Sequence, residues 1–197
     1  VEYIPEREFD GKAFYAAMRA GSEVKTSMVN AGTFIERFKA ALDAGKDVLY
    51  IGMSGGISGT ANAALMAKQE LDEEYPDRKI IVIDTLAASL GEGLFVIRAA
   101  EQLRDGVALH AIEEDIRAQV PSMCQSFTVD DLKYLKKTGR VSGAAAIIGN
   151  VLSIHPILIG DYEGKIVVKS KVRGMRRTLD ALAERYAELV LNKAETI

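Results

Sequence analysis

The stretch that most constrains this chain is Asp47–Asn62, DVLYIGMSGGISGTAN. It opens with an apolar run, Val48-Leu49-Tyr50-Ile51, of the kind that forms a buried parallel strand. A loop follows in which Gly52, Ser54, Gly55, Gly56, Ser58 and Gly59 crowd together, and then an alanine-rich helical run from Thr60 to about Tyr75. A strand that feeds a glycine loop into a helix brings bare backbone N–H groups and the positive end of the helix dipole to one point. Such a point favours a bound anion, phosphate or carboxylate. The serines add hydroxyl donors there.

A second strand, Lys79–Asp84 (KIIVID), follows after Pro76-Asp77. Strand, helix and strand at this spacing predict a right-handed βαβ unit whose two strands end on the same edge. The second strand ends at Asp84-Thr85, and Ser89-Leu90-Gly91-Glu92-Gly93 leads into a helix through Arg104. A second loop bearing hydroxyls and glycines, with Ser89 in it, is therefore expected beside the first.

Upstream, Phe9–Arg19 reads as a short amphipathic helix with Phe14, Ala17 and Met18 on its apolar face. Lys25-Thr26-Ser27 lies in a polar loop, and Thr33 with Glu36 is placed as a capping box for a helix that buries Phe34, Ile35, Phe38, Ala41 and Leu42. Downstream of a helix over Leu109–Val120, the character changes near Pro121. Met123–Thr128 reads as a strand, Thr128 as the cap of a helix to Lys137, and Ser142 as the cap of a greasy helix over Gly143–Leu152. Ile154–Ile159 and Lys165–Lys171 flank Gly160–Gly164 as a β-hairpin, and Arg177–Leu191 forms a last helix presenting Leu179, Leu182, Tyr186 and Leu189. The fold expected is α/β in two lobes: a parallel, Rossmann-like βαβ lobe over 1–120 and a smaller α+β lobe over 121–197.

Composition narrows the function classes. At 197 residues and 48% hydrophobic, the chain can bury a sizeable core, and a net charge of −3 with dispersed basic residues gives no nucleic-acid footprint. No apolar run reaches the roughly 18 residues of a membrane span. Cys124 is the single cysteine, so no disulfide framework or zinc cluster is expected. These features predict a cytoplasmic protein without stable membrane insertion. The chain begins at Val1 without an initiator Met and stops at Ile197 just after a helix, so both ends read as cut.

The enzyme reading is a serine hydrolase. Gly52-Met53-Ser54-Gly55-Gly56 fits G-x-S-x-G between a strand and a helix, with Asp84 and then His110 or His155 to complete a triad around Ser54. Against it, the loop runs on to Gly59, whereas a nucleophile elbow starts its helix directly after the serine. A P-loop is excluded because no lysine follows Gly59, and no G-x-G-x-x-G leads a helix, so no nucleotide cofactor is expected. His and Cys spacing supports no metal site. Arg140, Arg173, Arg176 and Arg177 read as a docking surface or as solvated charge.

Taken together, the segments Lys25-Thr26-Ser27, Ile57-Ser58-Gly59-Thr60, Asp84 with Ser89-x-Gly91-x-Gly93, Gly139-Arg140-Val141-Ser142, Pro156-Ile157-Leu158 and Lys171-Val172-Arg173-Gly174 resemble the bacterial DegV family of fatty-acid-binding proteins. They occur in family order along nearly the whole chain, although the family's opening strand with its Asp-Ser motif and its C-terminal portion have no counterpart here. The resemblance implies two α/β lobes enclosing a long-chain fatty acid, with the carboxylate held by the hydroxyls of Thr26 and Ser58. Ser54, Gly56, Ile57, Ser89 and His155 are secondary candidates around that ligand. It also implies a carrier with no catalytic residues, which in some members presents the fatty acid to an ATP-dependent kinase; Arg173 is a candidate for that docking. The chain departs from the family pattern at Met28-Val29-Asn30, where T-S-Q-P-S is usual, at Gly55, often a second serine, and at His155, often a lysine. These changes bear on the gating of the head group or on partner docking, while both ligand hydroxyls are retained.

Overall fold

A computed structural model describes residues 9–130, 139–142 and 153–190. The expected strand–loop–helix is present: β1 (Val48–Gly52), the glycine loop, and α3 (Thr60–Glu74), followed by β2 (Ile80–Asp84). β1 and β2 pair in parallel, with Val48 opposite Ile80 and Gly52 opposite Asp84, so both carboxyl ends lie on one edge. Before them come α1 (Gly11–Arg19) and α2 (Ala31–Asp43); after them come α4 (Leu90–Arg104) and α5 (Leu109–Gln119), closed by a 3-10 turn at Val120–Ser122.

Strand side chains alternate between faces, and the two faces of this sheet build two separate cores. Ile80 and Val82 face Phe34, Phe38 and Leu42 of α2 and Ala63, Ala64, Ala67 and Leu71 of α3. Ile81 and Ile83 face Phe95 and Ala99 of α4 and Ile112 and Ile116 of α5. The alanines of α3 are buried, which lets that helix lie close to the sheet. The result is a three-layer α/β/α lobe.

The second sheet has four strands in the order β3 (Ser126–Phe127), β5 (Ile154–Gly160), β6 (Ile166–Arg173), β4 (Val141–Ser142). β5 and β6 form the expected antiparallel hairpin, with an irregularity between Ile157 and Leu158, and β4 joins β6 in parallel. The helix α6 (Met175–Leu189) packs on β5 and β6. Leu158 and Val141 are the buried centre of this sheet, with Phe127, Val129, Ile166 and Val168 packed around them.

Several local expectations give way to specific contacts. Asn30, not Thr33, caps α2: its side-chain oxygen accepts from the Thr33 N–H at 2.9 Å, which starts the helix at Ala31. The Thr128 hydroxyl donates to the Pro156 carbonyl at 2.7 Å and so staples the segment after β3 to β5. The strand expected over Met123–Thr128 is confined to Ser126 and Phe127. The apolar face drawn for α1 is not buried, and in α6 Leu179, Tyr186 and Leu189 are exposed while Thr178 is the buried residue. In α4 the helix starts at Leu90, so Gly91 and Gly93 sit inside its first turn. The helix drawn to Lys137 and that over Gly143–Leu152 lie outside the described residues, as do both chain ends.

Candidate functional site

The loops that leave β1 and β2 are zipped together at the shared sheet edge. Asp84, the last residue of β2, accepts from the Gly55 N–H through one carboxylate oxygen and from the Leu86 N–H through the other, each at 2.9 Å. The Ser54 N–H donates to the Ala87 carbonyl at 2.7 Å. The fully buried Thr85 hydroxyl donates to the Gly52 carbonyl at 2.8 Å and accepts from the Ala87 N–H. This network holds Leu86 at φ 51°. Such a conformation is uncommon for a residue with a side chain and costs on the order of 1–3 kcal/mol, so it persists only where neighbours fix it.

Most of the amides expected to be bare in the glycine loop are engaged. The Gly56 N–H donates to Ser54 Oγ at 3.1 Å, the Ile57 and Ser58 N–H groups both donate to the Ser54 carbonyl at 3.0 Å, and the Thr60 N–H donates to Ser58 Oγ at 3.3 Å. With Gly55 serving Asp84, the amides of residues 55–58 are engaged within the protein. An anion arriving here meets the hydroxyls of Ser58 and Thr60 and the first-turn amides of α3, which have no intrahelical acceptor.

Those hydroxyls form a short chain. Ser58 Oγ and Thr60 Oγ1 lie 2.9 Å apart, and the Val29 N–H donates to Thr60 Oγ1 at 3.3 Å. Val29 belongs to the loop that carries Thr26. Met28 folds onto Gly59, where an added Cβ would come within 2.9 Å of the Met28 sulfur. Thr26 is exposed and Ser58 half-buried. The structure thus brings the loop of Thr26 against the start of α3 beside Ser58, with Thr60 as the joint.

Ser54 plays a different part from the one its motif suggests. It is fully buried, and its hydroxyl donates to the Gly164 carbonyl at 2.7 Å, across to the β5–β6 turn. Gly56 has no room for a side chain, since a Cβ there would come within 2.6 Å of the Glu163 carbonyl oxygen. The turn itself is fixed by Asp161, whose carboxylate accepts from the Glu163 and Lys165 N–H groups at 2.9 Å. Among the described residues no histidine is hydrogen-bonded to Ser54 or Asp84. His110 is exposed on α5, and His155 Nδ1 lies 3.5 Å from the Val129 carbonyl.

A cavity of about 520 Å³ opens between the two sheets' lobes. Its walls are mainly apolar: Ile57 and Leu86 from the two loops, Leu94 from α4, and Met123, Phe127 and Ile166 from the second lobe. Ser89 lines it too, held at φ 54° as the residue before α4. Ser58 and Thr26 are not among its walls, although Ile57 is Ser58's neighbour. Gln125 closes the cleft at one side: its Nε2 donates to the Ala88 carbonyl at 2.6 Å, and its Oε1 accepts from the Ala88 N–H at 3.0 Å. Gly91 is needed beneath it, because a Cβ there would collide with the Gln125 amide. A second cavity of about 490 Å³ shares Leu86, Met123, Cys124, Gln125 and Gly160 with the first and is also lined by Lys169 and Arg185.

Two acidic groups stand behind this edge. Burial pushes the Glu92 carboxyl above its ordinary range, and burial, then the charges of Glu92 and Asp84, push the Tyr50 phenol up. Arg173 is exposed at the end of β6, on the opposite strand from Ile154. The described residues hold no cluster of His, Cys, Asp and Glu suited to a metal ion, and no described helix is long and apolar enough to cross a membrane. Sequence reasoning missed Gln125 as a clasp and Thr60 as a joint. An amide side chain between Met123-Cys124 and Ser126-Phe127, and a threonine two residues after Ser58, are the traces they leave.

Comparison with known proteins agrees with this architecture. A family model, described as that of the uncharacterised DegV family, matches residues 1–197. A DegV domain-containing protein of Clostridium perfringens is 38% identical over 196 residues, which cover 98% of this chain and 67% of that protein. The crystal structure of a fatty-acid-binding DegV family protein from Streptococcus agalactiae superposes with a TM-score of 0.81 at 34% identity, over 96% of this chain and 66% of that one. A DegV family protein from Ruminococcus gnavus, solved with vaccenic acid, gives a TM-score of 0.80 at 25% identity over 95% of this chain and 66% of that one. The chain therefore spans about two thirds of the length of these relatives. On the match along its full length, this chain belongs to the DegV family.

Proposed function

We propose that this chain binds a long-chain fatty acid in the cleft between its two lobes, as a carrier and not as an enzyme. The observation that carries the reading is the apolar cavity of about 520 Å³ beside the hydroxyl-bearing start of α3. Its size falls within the ~300–1,000 Å³ typical of small-molecule sites. The relatives from S. agalactiae and R. gnavus, described as fatty-acid-binding and as solved with vaccenic acid, point to the same ligand class.

In this reading the acyl tail lies along Ile57, Leu86, Leu94 and Phe127, and the carboxylate turns outward to Ser58 and Thr26. Tail burial supplies most of the affinity, at about 0.8 kcal/mol per buried CH₂. Each hydroxyl bonded to the ionised head adds roughly 1.5–3 kcal/mol and fixes its orientation. An unpartnered carboxylate in the cleft would be costly, so the hydroxyls decide which end of the ligand faces out. Exposure of the head at the sheet edge suits a carrier that hands its carboxylate to an ATP-dependent acyl kinase, with Arg173 as one docking residue.

Titration with a fluorescent long-chain fatty acid tests the site. The pair Thr26→Ala and Ser58→Ala should weaken binding by about a hundredfold, the scale of two charge-assisted hydrogen bonds. Unchanged affinity in the double variant would remove both residues from the site. Charge reversal at Arg173 should leave this affinity intact and lower turnover by the kinase; undiminished turnover would dispose of that docking role.

A further inference from the structure

The hydroxyl chain at the start of α3 has one proton more than the protein uses. Thr60 Oγ1 receives the Val29 N–H, and Ser58 Oγ receives the Thr60 N–H. The two oxygens lie 2.9 Å apart and share one further hydrogen bond, in which either hydroxyl can donate. Each hydroxyl carries one proton. Whichever donates to the other, the second O–H is left without an acceptor among the described residues. Donation from Thr60 to Ser58 fills both lone pairs of Ser58 Oγ and leaves the Ser58 proton free for a ligand. The opposite direction would occupy Ser58's only donor.

We propose that Thr60 is the positioning residue of the carboxylate site: it donates to Ser58, makes Ser58 an outward donor to the ligand's carboxylate, and tethers the loop of Thr26 through Val29. This rests on the fatty-acid reading and names what organises its polar end. The donors then run in one direction, Val29 N–H to Thr60, Thr60 O–H to Ser58, Ser58 O–H to the carboxylate, and each bond polarises the next. Ser58 has no other protein acceptor among the described residues, so a bound carboxylate selects this direction. One residue thereby sets both the polarity of Ser58 and the approach of Thr26, which sequence places 32 positions apart.

The test uses Thr60→Val, which keeps the shape and removes the hydroxyl, and Thr60→Ser, which restores it. Each variant and the wild type are titrated with a long-chain fatty acid and with its methyl ester. The wild type should prefer the acid. Thr60→Val should lose about fivefold in affinity for the acid, the scale of the neutral hydroxyl–hydroxyl bond that orients Ser58, and less than about twofold for the ester, while Thr60→Ser keeps the acid affinity. Equal losses for acid and ester in Thr60→Val would show a packing effect and overturn the proposal, as would an unaltered acid affinity or a failure of Thr60→Ser to rescue. A wild type that binds neither compound would overturn the fatty-acid reading and this inference with it. A wild type that binds both alike would leave tail binding standing and overturn the polar site.

Discussion

The hydroxyl of Ser54 donates to the carbonyl of Gly164 at 2.7 Å, joining the loop after β1 to the turn between β5 and β6 across 110 residues of chain. Both groups are withdrawn from water, and Ser54 Oγ also accepts from the Gly56 N–H. Ser54→Ala leaves a buried carbonyl and an amide unpaired, so it should cost about 1–3 kcal/mol in urea unfolding. Gly164→Ala should cost more, because Gly164 has φ +71° and a Cβ there would collide with Ser54 Oγ. The same geometry predicts that a fluorophosphonate probe does not label the protein. Labelling that disappears in Ser54→Ala would reinstate the hydrolase.

Gln125 holds the loop before α4 with two hydrogen bonds to one residue, Ala88. Gln125→Leu keeps most of the volume and removes both bonds. Hydrogen exchange over residues 86–90 should rise about tenfold, as loss of roughly 1–1.5 kcal/mol of local protection implies. An unaltered exchange rate in this segment would show that the strained Leu86 and Ser89 are held by Asp84 and packing alone.

Asp115 ties α5 to α4. Hydrogen bonding from Arg98 foremost, opposed by burial and aided by Gln102 and Gln119, holds its carboxyl well below the usual carboxylate range, at about 2. A folded-state value depressed below 3.8 contributes stability that is complete above about pH 4 and fades as the pH falls towards 2. Arg98 is half exposed, so the gain is screened and amounts to about 1 kcal/mol. Asp115→Asn should therefore unfold more readily than wild type at pH 7 and like wild type near pH 2, measured by thermal melts. A difference that grows in acid would contradict the assignment.

The parallel βαβ unit was legible because its signals are local: apolar runs at Val48–Ile51 and Ile80–Ile83, a glycine loop, and a helix of small residues. The hairpin at Asp161–Gly164 was legible for the same reason. What the sequence conceals is pairing at a distance. The contact between Val29 and Thr60 spans 31 residues, that between Ala88 and Gln125 spans 37, and that between Ser54 and Gly164 spans 110. Each joins a common polar side chain to a backbone group, which leaves no pattern in one dimension. Capping shows the limit at short range: Asn30 and Thr33 are both good caps, and the extended backbone at Asn30, with its side chain reaching Thr33, decides between them. The expectation of bare amides fails at residues 55–58, where the Asp84 carboxylate and the hydroxyl and carbonyl of Ser54 take those donors.

The most direct measurement is the lipid content of the purified chain. Protein produced in a bacterial host, extracted into organic solvent and examined by mass spectrometry, should yield a stoichiometric load of long-chain fatty acid. The variant carrying Thr26→Ala and Ser58→Ala should yield far less after the same washing. A wild type that carries no fatty acid, or a double variant that retains the full load, would contradict the account.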